Sequence, residues 1–293
     1  MKIFITGAGG FLGKNIIRKL INTSNHAIYA TSLNSEIMAE FESRILFIPN
    51  DAVSDFDFSE VDIVINCAFP RAADGAGYAQ GLDFLNELFK KIQPHTNCGM
   101  IDISSQSLYS SMRTEAAAEN TQKVLEAVYD VGKYCMEILI DARLADHKRV
   151  HLRLASLIGP KFDQRIINRF VKLVIAEEDI TINGGQQLFG FLDVRDCADA
   201  ICAVINQWDR IDTSGQVYNV GAEESNSLKT IADIAVQVGS QFGYDNSKVL
   251  VKESDEWKNT SLDGRKFYNF FSWKPQYKLV DTTKSIYEYD LNL

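Results

Sequence analysis

Short apolar runs alternate with longer segments of helical period through the first half of the chain. KIFIT (2–6), AIYAT (27–31), RILFI (44–48), DIVIN (62–66), GMIDIS (99–104) and RVHLRL (149–154) are brief and rich in β-branched residues, as buried strands are. Between them, FLGKNIIRKLI (11–21), LDFLNELFKKI (82–92) and TQKVLEAVYDVGKYCMEILIDARLAD (121–146) repeat apolar residues at helical intervals. This alternation predicts an α/β fold, a doubly wound parallel sheet with helices on both faces. After Gly159 and Pro160 the pattern loosens into helices, short strands and polar loops. A first domain over 1–155 and a smaller C-terminal lobe over 156–293 are expected, with some segments around 190–220 returning to the first. In open parallel sheets ligands bind beyond the carboxyl ends of the strands, so the cleft between the lobes is the expected site.

The formal net charge is −9, and the basic residues form no runs. Nucleic acid, which requires concentrated positive charge, is thereby excluded as a partner. Cys67, Cys98, Cys135, Cys197 and Cys202 are odd in number and lack CxxC spacing, which points to structural thiols in a reducing compartment. His26, His95, His147 and His151 form no zinc-like spacing with them, so no metal site is expected. No apolar stretch reaches about 18 residues, and MKIFITGAGG lacks a leader's apolar region and cleavage site. A cytoplasmic protein without membrane contact is expected.

TGAGGFLG (6–13) places Gly7, Gly10 and Gly13 between the first strand and the first helix. Gly7 permits a tight turn, Gly10 lets a pyrophosphate approach the backbone, and Gly13 allows close helix–sheet packing. The helix N-terminus then offers unpaired N–H groups to the phosphates. A glycine set in that strand–helix context points to dinucleotide binding in a Rossmann-type domain. The second strand ends at Ser32, where an NAD-binding domain usually carries an acid for the ribose 2′-hydroxyl. Losing the carboxylate favours NADP over NAD, although no Arg follows to hold the 2′-phosphate. Asp51, just past the third strand, is a candidate adenine contact.

Tyr129 and Lys133 stand four residues apart in YDVGK, on one face of the expected helix. A neighbouring ammonium stabilises phenolate and makes the tyrosine a usable proton donor or acceptor. YDNSK at Tyr244 to Lys248 has the same spacing, but no strand with a serine at its end precedes it. Ser105 lies at the carboxyl end of the strand before Tyr129. Ser, Tyr and Lys there would converge beside a nicotinamide placed by the glycine turn, as hydride and proton transfer at a carbinol or ketone requires.

TGAGGFLG, DIVINCAF (62–69), SSQSLY (104–109), YDVGK, RLASLIGP (153–160), FLDVRDCADAI (191–201), VYNVGAEE (217–224) and FSWKP (271–275) follow in order along the chain. Together they resemble the extended short-chain dehydrogenase/reductase family, the NAD-dependent epimerase/dehydratase group that modifies sugar nucleotides. The resemblance implies that Tyr129 is the acid/base, that Lys133 tunes it and binds the nicotinamide ribose, and that Ser105 contacts the substrate oxygen. It extends the cofactor contacts to Phe11, Leu12, Ala52, Cys67, Ala68, Phe69 and Ser104, and the substrate contacts to Arg71, Gln106, Ser156 and Arg195. It also implies a homodimer through the helices at 82–92 and 121–146.

Three departures narrow the chemistry. Family dehydratases carry Thr-Asp-Glu where this chain has Ser105, Gln106 and Ser107, so water elimination is not expected. Phe189 and Lys252 stand where family members grip a diphosphate with Arg, and Lys offers a point charge in place of a bidentate fork. Ser156 replaces a substrate-contacting Asn; Arg165, Arg169 and Arg195 are alternative phosphate contacts. The expected activity is a 4-ketoreductase making a deoxysugar nucleotide, with an NAD-dependent sugar-nucleotide 4-epimerase as the alternative. A dinucleotide-sensing protein without turnover is the rival from another class, disfavoured because binding alone needs no tuned phenol.

Overall fold

The computed structural model describes residues 1–33, 37–41, 44–70 and 75–293. Its elements run β1 (Lys2–Thr6), α1 (Phe11–Thr23), β2 (Ala27–Ala30), α2 (Ile37–Phe41), β3 (Leu46–Phe47), β4 (Ile63–Asn66), α3 (Gly75–Ile92), β5 (Gly99–Ser105), α4 (Val128–Arg143) and β6 (Arg149–Leu154). They continue with β7 (Ser156–Ile158), α5 (Ile166–Ile175), β8 (Ile180–Asn183), β9 (Leu188–Asp193), α6 (Val194–Asn206) and β10 (Gln216–Val220). The last are β11 (Ser225–Ser227), α7 (Leu228–Ser240), β12 (Val249–Lys252), α8 (Arg265–Phe271) and α9 (Leu279–Asp290). The α/β expectation is borne out. A seven-stranded sheet has the order β10-β6-β5-β4-β1-β2-β3. Within it β1 pairs in parallel with β2 and β4, β2 with β3, and β4 with β5. Strand order reverses at β1, so the turn after β1 opens at the topological switch point.

The chain forms two compact units, both discontinuous in sequence. The first comprises Met1–Leu108, Lys123–Arg153 and Ile201–Tyr218, and the second Tyr109–Gln122, Leu154–Ala200 and Asn219–Leu293. In the first unit Phe4, Val64, Leu85, Phe89, Met100, Met136 and Ile140 belong to one buried cluster, where apolar faces of the sheet and of α3 and α4 meet. In the second, α5, α7 and α9 gather around Ile167, Val171, Ile231, Ala235, Ile286 and Tyr287.

Residues 109–122, assigned to the first domain by the sequence pattern, fold with the second unit. The Tyr109 hydroxyl donates to Asn219 Oδ1 at 2.9 Å, and Asn219 Nδ2 donates to the Ala117 carbonyl at 2.8 Å. The helix expected over 121–146 is shorter than its apolar period. The Val124 N–H is taken by the Leu108 carbonyl at 2.9 Å, and the Ala127 N–H by Asp130 Oδ2 at 2.9 Å. The Asp130 side chain thereby starts α4 at Val128. Among the described residues no helix is long and apolar enough to cross a membrane.

Candidate active site

The glycine turn closes tightly against the end of β4. Gly7 has φ +61°, and a Cβ there would lie 2.8 Å from the backbone of Cys67 and of Ala68. A Cβ at Gly13 would lie 2.5 Å from the Gly7 carbonyl oxygen, and one at Gly10 would lie 3.1 Å from it. Only glycine fits at positions 7 and 13. Gly10 caps α1 with no side-chain hydrogen bond, and the first turn of the helix holds no acidic residue. Backbone N–H groups beside Phe11 and Leu12 are therefore unobstructed by a carboxylate, the chemistry a pyrophosphate needs. The residues present fit a dinucleotide.

Behind this turn the strands are tied edge to edge. The Thr6 hydroxyl donates to Asn66 Oδ1 at 2.8 Å and accepts the Ala68 N–H at 3.1 Å. Asn66 Nδ2 donates onward to Asp102 Oδ1 at 3.1 Å. Ser32 follows β2 half-buried, and Asp51 is exposed at the start of a 3-10 turn beside half-buried Ala52. On α1, Lys14 and Arg18 are paired with Glu40 at 3.4 and 2.5 Å.

Ser105, Tyr129 and Lys133 all belong to the first unit. Ser105 ends β5, half-buried, and its Oγ donates to Ser107 Oγ at 2.9 Å while accepting the Ser107 N–H at 3.1 Å. Tyr129 is the second residue of α4, and Lys133 lies one turn further on, 5% exposed. Lys133 Nζ donates to the Ile103 carbonyl at 2.6 Å and lies 4.3 Å from the Phe69 ring centroid. Phe69 meets the Tyr129 ring edge-on at 5.3 Å. By contrast, residues 244–248 are not helical, so Tyr244 and Lys248 share no helical face.

Ser104 turns inward. Its hydroxyl donates to Glu137 Oε1 at 2.6 Å, and Arg153 grips the same carboxylate through Nε at 2.9 Å and Nη2 at 2.7 Å. Cys67 follows β4, and burial pushes its thiol up to about 12, keeping it protonated. Gln106 is half-buried in the 3-10 turn after β5. Arg71 lies outside the described residues. In the second unit, Ser156 opens β7 half-buried. Arg195 donates to Asp193 through Nε at 2.9 Å and Nη2 at 2.7 Å and stacks 3.7 Å from the Tyr277 ring centroid. That guanidinium is therefore engaged at the junction of β9 and α6.

The sequence reading passed over the buried charges on β6. Arg149, His151 and Arg153 alternate along the strand and are 7%, 1% and 1% exposed. They meet Glu137 and Asp141, one turn apart on α4: Arg149 Nε donates to Asp141 at 2.6 Å. His151 Nδ1 lies 3.0 Å from Asp102 Oδ2 and Nε2 3.4 Å from Asp141. Burial opposes the charge on His151, but these two carboxylates outweigh it and hold its pKa up at about 9. Charged residues at period two in a strand, facing acids four apart on a helix, were the signal. Among the described residues no cluster of His, Cys, Asp and Glu could hold a metal ion.

The model of the NAD dependent epimerase/dehydratase family matches residues 3–221. The uncharacterized UDP-glucose epimerase YtcB of Bacillus subtilis is 24% identical over 291 residues, covering 89% of this chain and 90% of that protein. The dTDP-6-deoxy-L-talose 4-dehydrogenase (NAD(+)) of Aggregatibacter actinomycetemcomitans is 23% identical over 245 residues, covering 80% of this chain and 88% of its own. The crystal structure of UDP-glucuronic acid 4-epimerase from Bacillus cereus in complex with NAD shares the fold, with a TM-score of 0.83 at 21% identity. That superposition covers 100% of this chain and 99% of the other.

Proposed function

The chain belongs to the NAD dependent epimerase/dehydratase family, and on that premise we propose that it interconverts a keto and a hydroxyl group at C4 of a sugar nucleotide, as a 4-ketoreductase. The observation that carries the reading is the set at the end of β5 and the start of α4: Ser105, Tyr129 and Lys133, with Gln106 and Ser107 in place of an acid and a base. Gly7, Gly10, Gly13 and the N–H groups that open α1 hold the dinucleotide pyrophosphate, with Ser32 at the adenosine ribose. Bound there, the nicotinamide gives or takes the hydride. Tyr129 passes its phenolic proton to the C4 oxygen as the keto group becomes a hydroxyl, and the Lys133 ammonium stabilises the phenolate left behind. Ser105 Oγ donates a hydrogen bond to the same oxygen, exchanging its present partner Ser107 for the substrate.

A second reading, a sugar-nucleotide 4-epimerase, is favoured by the similarity to the two proteins named as epimerases. Cofactor turnover separates them: the reductase consumes a reduced dinucleotide for each product, and the epimerase consumes none. The test incubates the protein with UDP-, dTDP- and GDP-sugars carrying a 4-keto or 4-hydroxyl group, following reduced-cofactor absorbance and product mass. Loss of the mass of water from a 4-hydroxy substrate would refute both readings in favour of a dehydratase. Homodimerisation is part of the same proposal. Val128, Val131 and Ile138, 66%, 44% and 52% exposed, recur at helical intervals along α4 with exposed Cys135 between them. Sedimentation of Val131→Lys as a monomer beside a dimeric native protein would support it.

A further inference from the structure

Phe69 links the two residues on which the proposed chemistry depends. The Lys133 ammonium lies 4.3 Å from its ring centroid, and the Tyr129 ring meets it at 5.3 Å and 84°. Tyr78 of α3 packs against the same ring at 6.1 Å and 66°. Room for the ring comes from Gly132, where a Cβ would stand 2.9 Å from Phe69 Cζ. The backbone of α4 between Tyr129 and Lys133 is thus bare where Phe69 enters. No hydrogen bond holds the ring; shape and the attraction of a cation for a π-face do. Among the described residues, the titratable groups around it include Tyr129 and Lys133 from α4, Tyr78 from α3 and Cys67 just after β4. Cys67 stays a thiol because burial holds it at about 12.

We infer that Phe69 is a positioning residue, whose ring fixes the Lys133 ammonium relative to the Tyr129 phenol and so governs the proton step at Tyr129. Among the described residues, Lys133 donates to the Ile103 carbonyl. That contact alone leaves the ammonium free to swing about it, and the aromatic face removes this freedom. The inference rests on the reading of Tyr129 as the acid/base.

The test compares the native protein with Phe69→Leu and Phe69→Met, which keep bulk but have no π-face. On a substrate that the native protein reduces, both should lower kcat about tenfold with KM within about twofold. Both should also move the basic limb of the kcat–pH profile, which reports the Tyr129 proton donor, upward by about half a pH unit or more. A second measurement needs no turnover: phenolate absorbance of the NAD-saturated protein against pH, minus that of its Tyr129→Phe counterpart, in each background. The subtraction removes Tyr78 and every other phenol. The midpoint for Tyr129 should rise by a similar interval in Phe69→Leu and in Phe69→Met. A midpoint unmoved in either variant overturns the inference. Should no sugar nucleotide be turned over by the native protein, the proposed function fails and the absorbance titration still decides the role of Phe69.

Discussion

Removing the charge of Glu137 while keeping its shape isolates what the buried pair behind the site contributes. Glu137 is 4% exposed and Arg153 1%, and the carboxylate accepts from Arg153 twice and from Ser104 once. Glu137→Gln retains an acceptor for Ser104 but leaves a guanidinium in the interior without its counter-charge. Breaking one side of such a pair costs about 3–5 kcal/mol, a large part of a total stability of about 5–15 kcal/mol. With an unfolding entropy of about 2.1 cal/mol/K per residue, a loss of about 4 kcal/mol lowers Tm by about 6 °C in a chain of this length. Urea titration should show an earlier midpoint with an unchanged slope. Adding Arg153→Met removes the stranded charge, so the double variant should regain most of the loss. A Glu137→Gln cost below about 1 kcal/mol, or a double variant no more stable than the single one, would refute the reasoning.

His151 gives a pH dependence with a definite sign. Its folded pKa of about 9 lies above the ordinary value of about 6.5. Its stabilisation, on the order of 3 kcal/mol, is therefore complete below about pH 6.5 and lost as pH rises through 9. Urea midpoints between pH 6 and 10 should fall in the native protein and lose that slope in His151→Gln; an equal slope in both would be a failure. Tyr129→Phe should reduce turnover by about a hundredfold or more with dinucleotide affinity intact, while Tyr244→Phe, outside any helix, should change little. Equal effects would remove the basis for choosing Tyr129. Ser32 should give a modest preference for NADPH over NADH, about tenfold, and Ser32→Asp should reverse it by repelling the 2′-phosphate. Dissociation constants for both cofactors at fixed ionic strength measure this, and no change on substitution would count against Ser32 at the ribose.

What could be read from the sequence was local. The β-branched runs fall on β1 through β6, because a buried parallel strand leaves a short and unmistakable apolar pattern. Tyr129 and Lys133 share a helical turn as their spacing suggested. The start of α4 was missed because Val124 and Leu125 continue the apolar period. The Leu108 carbonyl, far from them in sequence, claims the Val124 N–H, and tertiary contact overrides propensity. The same distance hid the role of Phe69: nothing in NCAF shows that its ring meets Gly132 on another element. Arg149, His151 and Arg153 were visible as charges in a strand, but their partners on α4 and β5 are set by packing alone.

Those inward-facing charges also bear on how the protein is made. β10 is the outermost strand of the seven-stranded sheet and pairs with β6, yet it follows β6 only after a long passage through the second unit. During synthesis at about 5–20 residues per second, β6 therefore spends several seconds as an open sheet edge. An unpaired strand recruits other chains unless something blunts it, and inward-pointing charged side chains are one such device. On β6 they oblige any strand docking at its edge to accommodate Arg149, His151 and Arg153, whose acids belong to this chain's own α4 and β5. The feature that makes the finished interior costly to disturb thus also blunts the edge that β10 is late to cover.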